Sequence, residues 1–148
     1  MKSKSKSSLV KTKLARKDIQ KTLLVEVSWE ACNQVGGIYT VLRSKSPTLV
    51  ERFDDNYCLI GPYINPNVST EFEEIRDHSN AFGWTVSKMQ DQGFDIKYGK
   101  WLVTGRPNIV LINPFCVFDR LGDIKYKFWE HHHIDSPSED ELLNQVMA

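Results

Sequence analysis

Short apolar segments alternate with segments of helical periodicity along this chain of 148 residues. The apolar segments predict strands at residues 23–28, 57–62, 94–99 (with a possible extension through 101–103) and 109–112. The helical periodicity predicts helices beginning at residue 38, over 82–92 and over 117–131. This alternation is typical of an open, mostly parallel α/β sheet. Ligands bind such sheets beyond the carboxyl ends of the strands, which makes the turn after the first strand the first candidate site.

Turn residues and apolar runs set the expected limits of these elements. Pro47 is expected to end or bend the first helix, because proline lacks the amide that a helix interior needs. Gly93 is expected to end the second helix. The acidic residues 69–78 fit neither period. The continuous apolar run 109–112 predicts a strand that is covered on both faces.

The two ends of the chain differ from its middle. Residues 1–22 carry a formal charge of +7 and the rest of the chain −7. This basic segment lacks an apolar period and is predicted to be a disordered leader. At the other end, Ser138 and Glu141 have capping-box spacing and open an amphipathic helix over 138–148. We expect that helix to be cut short and residues 23–148 to form one truncated lobe.

Apolar run lengths, cysteine spacing and charge limit the cell compartments and the binding partners that this chain can have. No apolar run reaches the roughly 18 residues of a membrane span, and Leu9–Val10 is too short for the core of a secretory signal. The three cysteines are widely spaced and form no Cys-x-x-Cys pair, which favours reduced thiols in a cytoplasmic protein. A nucleic-acid partner would favour a basic body, but the body is acidic, so we expect no nucleic acid and no membrane.

The pair Gly36-Gly37 lies between the first predicted strand and the first predicted helix. Glycine allows a backbone to approach a ligand closely, and the free amides of a helix start attract phosphate. On spacing alone the pair fits a plain tight turn better than a phosphate site, because the chain has no Gly-x-Gly-x-x-Gly.

Three sequence motifs, in order along the chain, favour the phosphate site over the plain turn. They are EVSWEACNQVGGIYTVLRSK (26–45), DNYCLIGPY (55–63) and YGKWLVxGxP (98–107), with a weaker match at 136–144. Together they closely resemble the start of the animal and fungal type of glycogen synthase, glycosyltransferase family 3. The resemblance covers residues 23–148.

The resemblance implies the Rossmann-like N-terminal lobe of a two-lobed GT-B glycosyltransferase. It implies retaining transfer of glucose from UDP-glucose to the non-reducing end of glycogen or another α-1,4-glucan. It also implies a homo-oligomer at full length, no cofactor and no metal. The donor-binding residues that it implies are Gln34, Val35, Gly36 and Gly37. The family's acid–base groups lie beyond Ala148, so no catalytic residue is assigned.

One donor-binding position departs from the family pattern. The family usually has Lys or Arg where this chain has Gln34. A glutamine can donate hydrogen bonds but carries no charge, so we expect weaker stabilisation of the leaving diphosphate. This departure keeps open an alternative function, a non-catalytic nucleotide- or glycan-binding α/β module.

Other chemistry-bearing residues have simpler interpretations. Adjacent helical residues point about 100° apart, so the run of histidines at 131–133 indicates a polar helix end and not a metal site. Glu26 and Glu30 flank the loop and are expected to be paired or solvent-facing. Most tryptophans pack in cores, and this is the expectation for the four here.

Overall fold

The computed structural model describes residues 22–64, 68–76 and 79–135. The strands are β1 (Leu24–Val27), β2 (Tyr57–Pro62), β3 (Phe72–Glu74), β4 (Ile96–Trp101) and β5 (Asn108–Ile112). The helices are α1 (Gly37–Phe53), α2 (Val68–Glu71), α3 (Ala81–Asp91) and α4 (Leu121–His132), with 3-10 segments at Asp54–Asn56 and Pro114–Arg120. The predicted α/β class is confirmed.

The five strands form one sheet in the order β1-β2-β5-β4-β3. β1, β2 and β5 are parallel, and β4 is antiparallel to both of its neighbours. Four of the five strands therefore run in one direction, which confirms a mostly parallel sheet. Connection length explains the exception, since residues 102–107 between β4 and β5 are too few for a parallel crossover.

Side chains alternate between two apolar layers on the faces of the sheet. On the α1 face, Tyr57, Leu59 and Ile109 pack with the helix. On the opposite face, Cys58 and Val110 pack with residues of α3. The predicted two-sided burial of 109–112 is confirmed for its first three residues.

Pro47 was expected to end or bend helix α1, and it does not end it. The helix continues to Phe53. A proline in a helix interior costs about 3 kcal/mol, so packing must compensate. Leu49 and Val50, both beyond the proline, pack against the apolar layer on the α1 face. The buried Ser46 hydroxyl also donates to the carbonyl of Leu42 at 2.7 Å.

Three other segments differ in detail from the predicted helices and strands. Residues 69–78 contain the end of α2 and the edge strand β3, which pairs with β4 alone. The predicted helix at 117–131 starts instead as a 3-10 segment and becomes α-helical at Leu121, because Asn113 and Pro114 open a tighter turn. α3 begins after Asn80, whose side chain accepts from the amide of Gly83 at 2.8 Å.

Some predictions lie outside the described residues. These are the leader up to residue 21, the turn at 65–67 and the helix at 138–148. Within the described part of the chain, no helix combines the length and apolar composition that crossing a bilayer demands.

The close contact at Gly61 generates a first prediction. A Cβ at this position would lie 2.3 Å from the carbonyl oxygen of Ala31, and backbone cannot yield as a side chain end can. We expect Gly61→Ala to destabilise the chain by about 3 kcal/mol in chemical denaturation. The control is Gly122→Ala, at an exposed helical site with nothing within 4 Å, which should stabilise it by about 0.5 kcal/mol. Equal effects of the two changes would contradict the prediction.

Burial of two thiols generates a second prediction. Burial raises the pKa of Cys32 and of Cys58 to about 12, so both stay protonated at pH 8, whereas Cys116 is exposed. We expect dithionitrobenzoate at pH 8 to modify one thiol in the native chain and all three after unfolding. Cys116→Ser should abolish the native reaction. Rapid modification of a second native thiol would contradict the prediction and show that one of the two apolar layers admits the reagent.

Candidate functional site

The loop after β1, residues 28–36, folds on its own short-range hydrogen bonds. The amide of Ser28 extends the ladder by donating to the carbonyl of Ile60 at 3.0 Å. The Ser28 hydroxyl accepts from the amide of Glu30 at 3.2 Å, and the Ser28 carbonyl accepts from the amide of Ala31 at 3.1 Å. Serine favours such local bonds over strand continuation, which explains why β1 stops here.

A backbone contact sets the loop on the carboxyl end of the neighbouring strand. Ala31 is fully buried and lies directly over Gly61 in β2. Only glycine leaves room for this approach. The loop therefore lies at the carboxyl edge of the parallel strands, where α/β sheets bind their ligands.

Glu30 connects this loop to the start of α1. One carboxylate oxygen, Oε2, accepts from the amide of Gly36 at 2.8 Å and from that of Tyr39 at 2.9 Å. The first turn of a helix has amides without carbonyl partners, and a carboxylate there also interacts favourably with the helix dipole. Glu30 was expected to be paired or solvent-facing, and it is paired with backbone. Its spacing from the helix matches no capping motif, so the sequence held no signal for it.

The four residues assigned to donor binding lie together on the surface. Gln34, Val35, Gly36 and Gly37 are all exposed, and Val35 is 70% exposed. Gly36 is the N-cap of α1 and Gly37 its first residue.

The two glycines differ in what surrounds them. Neither has a positive φ, so conformational freedom explains neither position. A Cβ on Gly36 would lie 3.2 Å from Oε1 of Glu30, whereas one on Gly37 would meet nothing within 4 Å. Gly36 therefore faces the protein, and Gly37 faces open space.

A polar cluster behind the loop was missed from the sequence. The Tyr39 hydroxyl donates to both carboxylate oxygens of Glu71 at 2.9 Å, and the Trp101 indole donates to Oε2 of Glu71 at 3.2 Å. Burial and the bond to Glu71 raise the pKa of Tyr39 to about 12. The Tyr39 and Trp101 rings also make an edge contact, with centroids 5.4 Å apart. Glu71 belongs to the ambiguous acidic segment, where no pattern distinguishes it from its neighbours.

A basic side chain near the same edge was also missed. Lys97 donates to the Tyr63 hydroxyl at 3.0 Å, and its ammonium lies 4.2 Å from the centroid of that ring. The bond to Tyr63 raises the pKa of Lys97. Lys97 is opposite Leu111, which is beside Gly61, so its backbone is roughly 10 Å from β2, the strand against which the loop packs. Strand alternation marks Lys97 only as a polar position.

Glu26 lies in a structural contact between strand and helix. Its carboxylate accepts from the Tyr57 hydroxyl at 2.6 Å and forms an ion pair with Lys45 of α1. Burial and the bond from Tyr57 to Glu26 raise the pKa of Tyr57. The expectation of a paired role for Glu26 is confirmed.

The remaining candidates lie elsewhere. Trp101 is fully buried, whereas Trp84 and Trp129 are more than half exposed, so the packing expectation holds for Trp101 and not for these two. The three histidines close α4, as the sequence indicated. Across the described ranges, no three His, Cys, Asp or Glu side chains group as metal ligands.

The arrangement offers hydrogen-bond donors to an anion. Glu30 takes the amides of Gly36 and Tyr39. The amides of Gly37 and Ile38, between them, have no carbonyl partner inside the helix, and both residues are exposed. Two such amides at the positive end of a 17-residue helix suit a phosphate or carboxylate oxygen.

Comparison with known proteins agrees with this geometry. The family model described as glycogen synthase matches residues 26–148. Glycogen [starch] synthase of Neurospora crassa is 34% identical over 132 residues, which cover 89% of this chain and 19% of that protein. The liver glycogen [starch] synthase of Rattus norvegicus is 36% identical with the same coverage. Glycogen [starch] synthase isoform 1 of Saccharomyces cerevisiae is 33% identical over 139 residues, which cover 88% of this chain and 20% of that protein.

The chain spans about a fifth of the length of these curated relatives. The family match covers the last two residues of β1, the glycine pair, α1 and the rest of the described sheet. The fold that the resemblance implied is the fold observed. This chain therefore belongs to the glycogen synthase family and corresponds to the N-terminal portion of its animal and fungal members.

Proposed function

We propose that the protein containing this chain transfers glucose from UDP-glucose to the non-reducing end of an α-1,4-glucan, with retention of configuration. The observation that carries the proposal is the exposed Gly36-Gly37 turn at the start of α1, beyond the carboxyl end of β1. It lies within residues 26–148, which match the glycogen synthase family. The similar proteins named glycogen [starch] synthase support this choice of reaction.

In this proposal the loop binds the donor's diphosphate. Negative charge grows on the diphosphate as its bond to glucose breaks, and the amides of Gly37 and Ile38 would stabilise that charge together with the dipole of α1. Gln34 can add a neutral hydrogen bond. A neutral donor is about half as strong as a charged one, so this loop stabilises the leaving group less than a loop with Lys or Arg.

The remaining steps need groups outside this chain. The acid–base chemistry and the second lobe belong to the rest of the protein, and closure of the lobes would exclude water from the donor. In this proposal the protein uses no metal and no organic cofactor, acts in the cytoplasm and assembles as a homo-oligomer.

Gln34 also supports a second candidate, a non-catalytic module that binds a nucleotide or a glycan. Its amide is exposed and uncharged, as a binding loop without leaving-group chemistry allows. The two candidates differ in turnover, because only the first predicts glucose transfer by the full-length protein.

We expect the isolated 148-residue chain to bind UDP but not to transfer glucose, since it spans only a fifth of its relatives. The assay is incorporation of labelled glucose from UDP-glucose into glycogen, with a full-length relative as positive control. Incorporation by the purified chain would contradict the expectation. Absence of transfer by the full-length protein, with UDP binding intact, would favour the second candidate.

We expect Gln34→Lys in the full-length protein to raise kcat by roughly fivefold, because a charged donor adds about 1 kcal/mol of leaving-group stabilisation. The control is Gln92→Lys, which adds the same charge at an exposed position after α3. Unchanged or lower turnover in Gln34→Lys would count against a diphosphate beside this loop.

A further inference from the structure

The Glu30 carboxylate and the two glycines form one arrangement in which each member has a different task. The carboxylate is half-buried and is itself held in place. The backbone amide of Glu30 donates to the Ser28 hydroxyl at 3.2 Å, and its carbonyl accepts from Asn33 at 3.4 Å. The side chain therefore starts from a fixed backbone and not from a mobile one.

Oε2 of Glu30 selects two of the amides at the start of α1. It binds those of Gly36 and Tyr39, at 2.8 Å and 2.9 Å, and thereby fixes the entry of the chain into the helix. The amides of Gly37 and Ile38 lie between these two in sequence. Because the flanking amides are occupied, this inner pair is what the first turn of α1 can offer to a ligand.

The surroundings of the glycines agree with this division. A Cβ on Gly36 would lie 3.2 Å from Oε1 of Glu30, tighter than ordinary contact, so the carboxylate would have to shift by a few tenths of an ångström. A Cβ on Gly37 would meet no protein atom within 4 Å. The absent side chain at Gly36 makes room for Glu30, and the one at Gly37 leaves open space next to the two available amides.

We propose that Glu30 is a positioning residue of the donor site: it fixes the Gly-Gly loop through Gly36 and Tyr39 and leaves the amides of Gly37 and Ile38 for the nucleotide's phosphates. This inference rests on the proposed function, because it assumes that a nucleoside diphosphate binds here. It adds the residue that presents the amides and separate roles for the two glycines.

The test follows backbone amide resonances of the ¹⁵N-labelled 148-residue chain during titration with UDP. In the parent chain, the signals of Gly37 and Ile38 should shift more than those of Gly36 and Tyr39, which Glu30 already binds. If UDP shifts no amide of the loop, the donor site is wrong and the inference falls with it. If UDP binds and shifts all four alike, only the division of roles is overturned.

Variants separate positioning from mere stability. Glu30→Ala should raise the Kd for UDP by at least about fivefold, since binding must then order the loop. Glu30→Gln keeps an acceptor oxygen and should stay within about twofold of the parent. Glu51→Ala, which removes an exposed carboxylate near the far end of α1, is the matched control and should change nothing. A purely structural Glu30 would lower Tm and leave the Kd for UDP unchanged in Glu30→Ala, which would overturn the proposal.

A double-mutant cycle tests the link between Glu30 and Gly36. Gly36→Ala should weaken UDP binding in the parent chain by displacing the Glu30 carboxylate, and it should have a smaller effect when Glu30 is already alanine, because that carboxylate is gone. Gly37→Ala should weaken binding to the same extent in both backgrounds. Equal effects of Gly36→Ala in both would show that Glu30 is not the reason for glycine at this position.

Discussion

Two hydrogen bonds to one carboxylate oxygen hold the end of the first strand to the start of the first helix. Glu30 lies in the turn that follows β1, and the amides that it accepts from open α1. The two bonds fix where the chain enters α1, and the Tyr39 and Leu42 side chains of that helix lie in the apolar layer on the α1 face. A carboxylate suits this place because the helix start has unpaired amides and a partial positive charge.

The far half of the sheet is held by a different kind of contact. The short connection between β4 and β5 reverses the chain just after Trp101, the last residue of β4, which is fully buried. There it meets Tyr39 from α1 and Glu71 from the segment before β3. The first helix is thereby tied to the antiparallel side of the sheet as well as to the parallel side, and a half-buried carboxylate gains hydrogen bonds from two side chains.

Charge at the carboxyl edge is distributed differently from what the loop alone suggests. The loop has a neutral Gln34, while the ammonium of Lys97 lies on the Tyr63 ring across the sheet. The bond to Tyr63 raises the pKa of Lys97. Helix amides near the strand ends and Lys97 are thus two separate positive features of this edge, which suits weak and spread attraction for an anion better than a tight pair.

The sequence by itself determined the elements whose signal is local: strands 57–62 and 109–112, the helix closed at Gly93, and the glycine pair between strand and helix. It could not determine Pro47 inside α1, the edge strand β3 or the role of Glu71, because packing against distant residues decides each. At the candidate site the sequence predicted the right turn and missed what shapes it. Whether a glycine makes room for a neighbour or for open space depends on where Glu30 lies, and only tertiary structure brings them together.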